Sequence, residues 1–333
     1  MIRWDLGKIA LKFRKPEKKK KGATFLVYGE SGSGKTLFAL GFPKSAYIDA
    51  ENGTTFYEGT DKAEQVVGFL ETQSFQDITQ QTKELVKLMK KGDKTFETLV
   101  IDSETKIYEN LQEALLTVDE KRAREKGQDA LDANISMRSW GKIKQKARSM
   151  QNMKLQLAST GMNIVSIAQP KDTMEDLGNG KRIKVGIEPD MKKQAKFDYD
   201  VVLRFYTEDG KYYAQVEKDR TEAHLRDEII ENPSFEDWAE VIADRKDLKA
   251  VDVDYNVDTE KAKESYEKEL DNEDLDSLPK TEQIKVMLGK LSQDDKKEFA
   301  GRIKTEIGIT GTLSKASDDQ LTQALELLKT DFA

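Results

Sequence analysis

Apolar residues in this chain follow two patterns that exchange near residue 250. Before it, short continuous apolar runs at 24–28 (TFLVY), 45–49 (SAYID), 98–101 (TLVI) and 163–168 (NIVSIA) are separated by longer stretches in which apolar residues return every three or four positions. Short apolar runs bounded by turn residues predict strands buried on both faces. Their alternation with helical stretches predicts an α/β class fold, a mainly parallel sheet with flanking helices. A weaker strand at 65–69 precedes a helix from about Ile78 to Lys91 that Gly92 ends. The interval 103–162 predicts a helix, a polar loop near 120–133 and a second long helix. Asp209-Gly210 between the alternating runs 200–206 and 212–217 predicts a hairpin, and Asn232-Pro233-Ser234 introduces a short helix at 235–243.

Beyond residue 250 the spacing changes. Residues 250–280 are acidic and poor in large apolar side chains, which predicts a linker or a loosely helical segment. From Thr281 a helical period returns through Ile284, Leu288 and Leu291, then Phe299, Ile303 and Ile307, then Leu321, Leu325 and Leu328, with Ser292 and Ser317 at N-cap positions. The expected organisation is a basic arm at 1–21, a core at 22–249, an acidic linker at 250–280 and a small helical C-terminal domain at 281–333.

Candidate chemistry sits where strands give way to helices. Gly29-Glu30-Ser31-Gly32-Ser33-Gly34-Lys35-Thr36 fits G-x-x-x-x-G-K-[ST] between the first strand and the helical run Leu37-Phe38-Ala39-Leu40. In such a loop glycine N–H groups close around phosphates, the lysine (Lys35) reaches the β and γ phosphates, and the hydroxyl of Thr36 binds Mg²⁺. Asp102 ends the apolar strand 98–101, so its carboxylate can meet the hydration shell of that metal. ATP and Mg²⁺ are therefore the expected cofactors. Farther along, Arg138, Lys142 and Lys146 are four apart and share a helix face, with Lys144 and Arg148 as a second stripe. Such a face is either solvated surface or a nucleic-acid contact. About thirty residues after Gln169, rich in Gly, Lys and Arg (Lys171, Lys181, Arg182, Lys184), predict a long irregular loop at the carboxyl edge, where open α/β sheets bind ligands.

Charge alters this picture through its distribution. The 333 residues carry a net charge of −7, yet residues 1–21 hold nine Lys/Arg against Asp5 and Glu17, and residues 252–278 hold eleven Asp/Glu against three lysines. The acidity thus belongs largely to one segment and does not argue against a nucleic-acid partner. The basic arm has a short apolar pattern, Ile9, Leu11 and Phe13, suited to a solvated arm or to pairing with a neighbouring subunit. Zero cysteines exclude a disulfide scaffold and a zinc–thiolate site and fit a reducing cytosol. Without a long apolar run or a signal-peptide pattern, a cytoplasmic protein with no membrane partner is expected.

The order of these motifs resembles the RecA recombinase family, and within it the RecA-like ATPases encoded by phages that act with single-strand annealing and recombination functions. GESGSGKT, YIDAE, TLVIDS and NIVSIAQ followed by a long loop carry the resemblance, over roughly residues 22–225. The resemblance implies that Glu51 polarises the attacking water and that Gln169 senses the γ-phosphate and signals to a DNA-binding loop. It implies that Lys218 and Arg220 reach the ATP of an adjacent subunit. It also places Arg138 at the edge of a first DNA-facing loop and Lys171, Lys181 and Arg182 in a second, with Lys142 a DNA-contact candidate through the helix face it shares with Arg138. The large N-terminal helical module of bacterial RecA is missing, and the C-terminal helices do not match the family's usual appendage. The implied function is a Mg-ATP-dependent ATPase that binds single-stranded DNA in phage recombination, by annealing or strand exchange, and assembles as an oligomer or filament with ATP between subunits. Alternatives are a ring-forming helicase-like motor and a nucleotide-gated adaptor or loader for a single-strand-binding protein. His224, the single histidine, has no assigned chemistry, and Trp140 suits either a core or a base-stacking position.

Overall fold

The computed structural model describes residues 16–127, 129, 134–178, 181–246, 248–250, 253–276 and 278–332, the side chains of 268–274 apart. Ile9, Leu11 and Phe13 of the basic arm and part of the polar loop before Arg138 lie outside the described residues. The chain divides into two compact units, Met1–Asn256 and Val257–Ala333.

Among the described residues of the first unit ten strands run: β1 (Thr24–Gly29), β2 (Ser45–Asp49), β3 (Val66–Glu71), β4 (Thr98–Asp102), β5 (Asn163–Ala168), β6 (Pro170–Asp176), β7 (Arg182–Pro189), β8 (Val201–Glu208), β9 (Lys211–Asp219) and β10 (Ile229–Glu231). Eight of them form one sheet in the order β10-β9-β8-β1-β5-β4-β2-β3. From β8 to β3 every pairing is parallel, while β9 is antiparallel to β8 and β10 to β9. The mainly parallel sheet expected from the apolar runs is present, and every residue of β1, β4 and β5 is buried.

Alternation along these strands feeds two helical layers. On one face Phe25 and Val27 of β1 pack with Phe38 of α1 (Lys35–Leu40), Phe42 and Trp238 of α5 (Glu236–Ala243). Ring centroids of Phe25 lie 5.1 Å from Phe42 and 5.4 Å from Trp238, both edge to face. Such pairs add about 0.5–1.5 kcal/mol each beyond area burial. On the other face Ile48, Leu99, Ile101 and Ile164 pack with α2 (Phe75–Lys90) and α4 (Met137–Thr160).

Three segments of this unit differ from the sequence reading. The polar loop expected near 120–133 begins later, because α3 runs over Glu104–Glu125, supported by Asp119–Arg122 and Glu120–Arg124 ion pairs one turn apart. The stretch after Gln169 is not structureless: β6 and β7 form an antiparallel two-stranded ribbon. Its Gly and Lys content conceals a period of two, and cross-strand pairing of Lys184 with Asp172 at 2.6 Å holds the register. β10 is an additional short strand that completes the sheet edge.

In the second unit, α7 (Lys280–Lys290), α8 (Gln293–Thr305) and α9 (Asp318–Asp331) enclose Ile284, Phe299, Ile309, Leu321, Leu325 and Leu328. The helical C-terminal appendage is thus present. Ser292 and Ser317 cap α8 and α9, and Ser317 forms a reciprocal capping box with Gln320. The segment expected as linker or loose helix contains α6 (Tyr255–Asp276), a helix with one-turn pairs such as Asp258–Lys261 at 3.6 Å. A helix polar on all sides draws its stability from such pairs and from good helix formers.

Candidate nucleotide site

The register of the parallel strands decides which residues meet. Asp49 is level with Asp102, and Tyr28 with Ala168, so the residues that follow β1, β2, β4 and β5 emerge together at one carboxyl edge. Glu51, Ser103, Gln169 and the loop 29–36 are there for that reason. The loop needs its glycines at two places: Gly34 has φ 93°, and a Cβ on it would lie 2.8 Å from the Tyr212 ring, while a Cβ on Gly29 would lie 2.1 Å from the Phe205 carbonyl oxygen. Glu30, Ser31 and Gly32 are exposed and Ser33 is buried, its hydroxyl donating to Glu30 O at 2.7 Å.

Lys35 Nζ donates to Gly29 O at 2.8 Å and Glu30 O at 2.7 Å, which holds the ammonium at the mouth of the loop. Burial pushes its pKa down from the ordinary lysine range, against the opposing pull of Asp102, Glu51 and Glu30. Thr36 Oγ1 donates to Asp102 Oδ2 at 2.8 Å, and Tyr47 OH donates to the same oxygen at 2.8 Å. Burial raises the Asp102 carboxyl to about 6; those two hydroxyls oppose the rise, and the neighbouring Glu51 and Asp49 charges add to it.

A buried carboxylate beside two further acids and a hydroxyl is an environment that a divalent cation would relieve. Among the described residues no group of three His, Cys, Asp or Glu side chains is arranged to hold a metal. The Thr36 and Asp102 oxygens fit Mg²⁺, which commonly takes one or two protein oxygens and completes its shell with water and phosphate.

Glu51 lies within a turn tied down by Asp49, whose carboxylate accepts from the backbone N–H groups of Glu51, Gly53 and Thr54 and from the Thr54 hydroxyl. Its Oε1 accepts from Ser103 Oγ and from Gln169 Nε2, the latter at 2.8 Å. Three side chains from three different strand ends therefore meet on one oxygen. The carboxylate also borders a cavity of about 460 Å³ lined with Asp49, Glu71, Thr72, Gln73 and Lys106.

Lys218 and Arg220 lie at the other edge of the sheet. Because β9 runs antiparallel, its last residues sit beside the first residues of β8 and β1: Asp219 is level with Val201, and Val201 with Phe25. Lys218 Nζ donates to the carbonyls of Phe197, at 3.0 Å, and Tyr199, and Arg220 donates to Phe197 O at 3.1 Å. Burial lowers the Lys218 pKa, and the nearby Arg220 charge lowers it further. Lys21 pairs with Asp200 at 2.6 Å at this same edge, so the end of the basic arm is anchored and not solvated throughout.

The DNA candidates separate into two groups. Arg138 and Lys142 are exposed on α4. Lys171, Lys181 and Arg182 belong to the ribbon that follows Gln169, where Lys171 pairs with Asp190 at 3.2 Å and Arg182 approaches Asp176 at 3.9 Å. Trp140 is half-buried, and His224 lies against Trp238 with its Nδ1 3.1 Å from Glu228.

Sequence reasoning gave no role to Tyr47, Ser103 or Tyr212, and it missed Lys154 altogether. Lys154 is 1% exposed and ion-pairs with Glu104 at 2.7 Å, burial lowering its pKa. A signal was available: Met150, Met153, Lys154 and Leu157 occupy the i, i+3, i+4, i+7 positions of an inward helix face.

Among curated proteins, none matches this chain. The crystal structure of the RadB recombinase is similar over 64% of this chain and 87% of its own, with 16% identity and a TM-score of 0.37. No helix among the described residues is long and apolar enough to cross a membrane. A sequence profile described as "AAA domain" matches residues 21–226, a span that holds the phosphate loop, both acids, Gln169 and the Lys218–Arg220 pair, and the chain therefore belongs to that AAA-domain family.

Proposed function

We propose that this protein is a RecA-like ATPase that hydrolyses Mg-ATP, binds single-stranded DNA and acts in DNA recombination, by annealing or strand exchange, as a head-to-tail oligomer. The observation that carries the reading is the 2.8 Å bond from Gln169 to Glu51, because Gln169 directly precedes the ribbon β6–β7, which presents Lys171, Lys181, Arg182 and Lys184 among an equal number of acids. The residue suited to orienting water is thereby tied to the segment suited to touching DNA.

Glu51 is the hydrogen-bond acceptor that orients the attacking water. Gln169 exchanges its bond between Glu51 and a phosphate oxygen, so occupancy of the loop changes the start of the ribbon. Lys35 and the loop N–H groups would hold the phosphates, and Thr36 with Asp102 would hold Mg²⁺, which would offset phosphate charge. Lys218 and Arg220 cannot serve their own loop, since the strands between the two edges are six residues, roughly 20 Å, long. In a head-to-tail assembly they face the next subunit's phosphates and stabilise transition-state charge there. Arg138, Lys142, Lys171, Lys181 and Arg182 are the proposed phosphate-backbone contacts. The acting form is a filament, with a ring-shaped motor and a loader of a single-strand-binding protein as the competing readings.

Measuring hydrolysis with and without single-stranded DNA, and imaging the protein with DNA and a non-hydrolysable ATP analogue, tests this. DNA should stimulate turnover and the analogue should produce filaments on it. A strictly monomeric particle whose hydrolysis ignores DNA would sink the proposal, and closed rings would favour the motor.

A further inference from the structure

Three consecutive side chains at the start of α3 each reach a different functional contact. Ser103 Oγ donates to Glu51. Glu104 accepts from Lys154 Nζ at 2.7 Å and from Tyr199 OH at 3.0 Å. Thr105 Oγ1 accepts from the Gln169 backbone N–H at 2.9 Å and donates to Asp190 O at 2.7 Å. Lys154 completes its shell with Tyr199 OH at 2.6 Å and Ser166 Oγ at 3.3 Å. On the far side, the backbone carbonyl of Tyr199 is one of the acceptors that seat Lys218.

We infer that Lys154, with Glu104 and Tyr199, is a positioning residue for ATP hydrolysis: a buried ionic strut that fixes Ser103 and Thr105 against Glu51 and Gln169, and Tyr199 against Lys218. The inference rests on the hydrolytic reading of the site. A buried ion pair is a poor way to gain stability, because desolvating both charges costs about as much as their attraction returns, and well-packed apolar residues of the same volume do as well or better. What the pair supplies and apolar packing does not is direction. An ammonium with three donors, aimed at a carboxylate, a phenol and a hydroxyl, admits one arrangement of α3, α4, β5 and the 195–199 turn. Because α4 also carries Arg138 and Lys142, the strut joins the helix proposed to touch DNA to both edges of the sheet.

The test separates position from stability. Lys154→Met alone strands a buried carboxylate, so the informative protein is Glu104→Leu/Lys154→Met, which removes both charges. It should melt at or above the wild-type temperature and bind a non-hydrolysable ATP analogue within about twofold of wild type, while kcat falls about 10- to 100-fold with KM little changed. Amide exchange should accelerate in the peptides covering 103–105 and 197–199. A folded double variant with wild-type kcat and wild-type exchange overturns the strut. Should the double variant not fold, Tyr199→Phe keeps the ion pair and removes one hydroxyl; kcat should fall with KM unchanged, and an unaltered kcat overturns the inference. Absence of hydrolysis by the wild-type protein would instead refute the proposed function, and the exchange comparison would still decide whether the strut holds these segments.

Discussion

Glu51 and Asp102 at one edge of the sheet and Lys218 and Arg220 at the other are held by different means. At the carboxyl edge, side chains bind one another: Gln169 and Ser103 donate to Glu51, and Thr36 and Tyr47 donate to Asp102. At the amino edge, Lys218 and Arg220 bind backbone carbonyls of the 195–199 turn. Side chains bonded to one another can trade partners when a phosphate arrives, whereas cations on a backbone seat are presented in fixed positions. The first edge is suited to receiving a ligand. The second is suited to being offered to a ligand held elsewhere, as the proposed head-to-tail assembly requires.

The strongest way to break this comparison is to divide the two edges between subunits. Arg220→Ala should lower turnover about 10³-fold, the lower end of the effect of an arginine supplied across an interface, and Lys35→Ala should abolish nucleotide binding or turnover. Mixing the two inactive proteins should restore part of the activity, since the Arg220 of one completes the loop of the other. No recovery in a steady-state assay of the mixture would show that the amino edge does not act in trans.

A somewhat smaller effect sharpens the carboxyl edge. Glu51→Gln should reduce kcat by about 10²- to 10⁴-fold while leaving analogue affinity near wild type, because the amide keeps the volume and loses the basic oxygen. With turnover blocked, the variant should accumulate in the assembled state with ATP, visible by sedimentation. Wild-type turnover would remove Glu51 from the mechanism.

The smallest effect lies away from both edges and serves as a control. Asp119 accepts from the Ser136 backbone N–H at 2.8 Å and from Arg122 at 3.1 Å, and the Ser136 bond leads the causes that pull its pKa down to about 2. A folded-state pKa below the unfolded value gives stability that is present above about pH 4 and lost as pH falls toward 2. Asp119→Asn should flatten that part of the melting temperature profile and leave turnover at neutral pH little changed. An acid profile identical to wild type would show that the contact contributes nothing.

Much of the carboxyl edge was legible because its chemistry is written at strand ends. The loop 29–36 and Asp102 follow apolar runs whose ends can be read from a few adjacent residues, while Glu51 and Gln169, also at strand ends, were singled out through the family resemblance. The ribbon after Gln169 was not read because the alternation of Ile183, Val185 and Ile187 over Arg182–Pro189 (RIKVGIEP) covers one strand only and is masked by the glycines and charged residues around it. Lys154 was hidden for a different reason. A lysine in an apolar helix face is ordinarily solvated, and its burial is made tolerable by residues distant in sequence, Glu104 fifty positions earlier together with Tyr199 and Ser166.

By itself the sequence determined the buried parallel strands, the helices between them and the residues at their ends, since those strand and helix periods are local properties of the chain. It also determined the caps of the C-terminal helices, where Ser292 and Ser317 act within one turn. Only the tertiary structure decided who meets whom. Gln169 reaches Glu51 across 118 positions because β5, β4 and β2 pair in parallel and in register. Lys218 and Arg220 face away from their own phosphate loop because β9 turns back antiparallel against β8. Pairing and strand direction are settled by which faces must be buried together, and no short stretch of sequence contains that information.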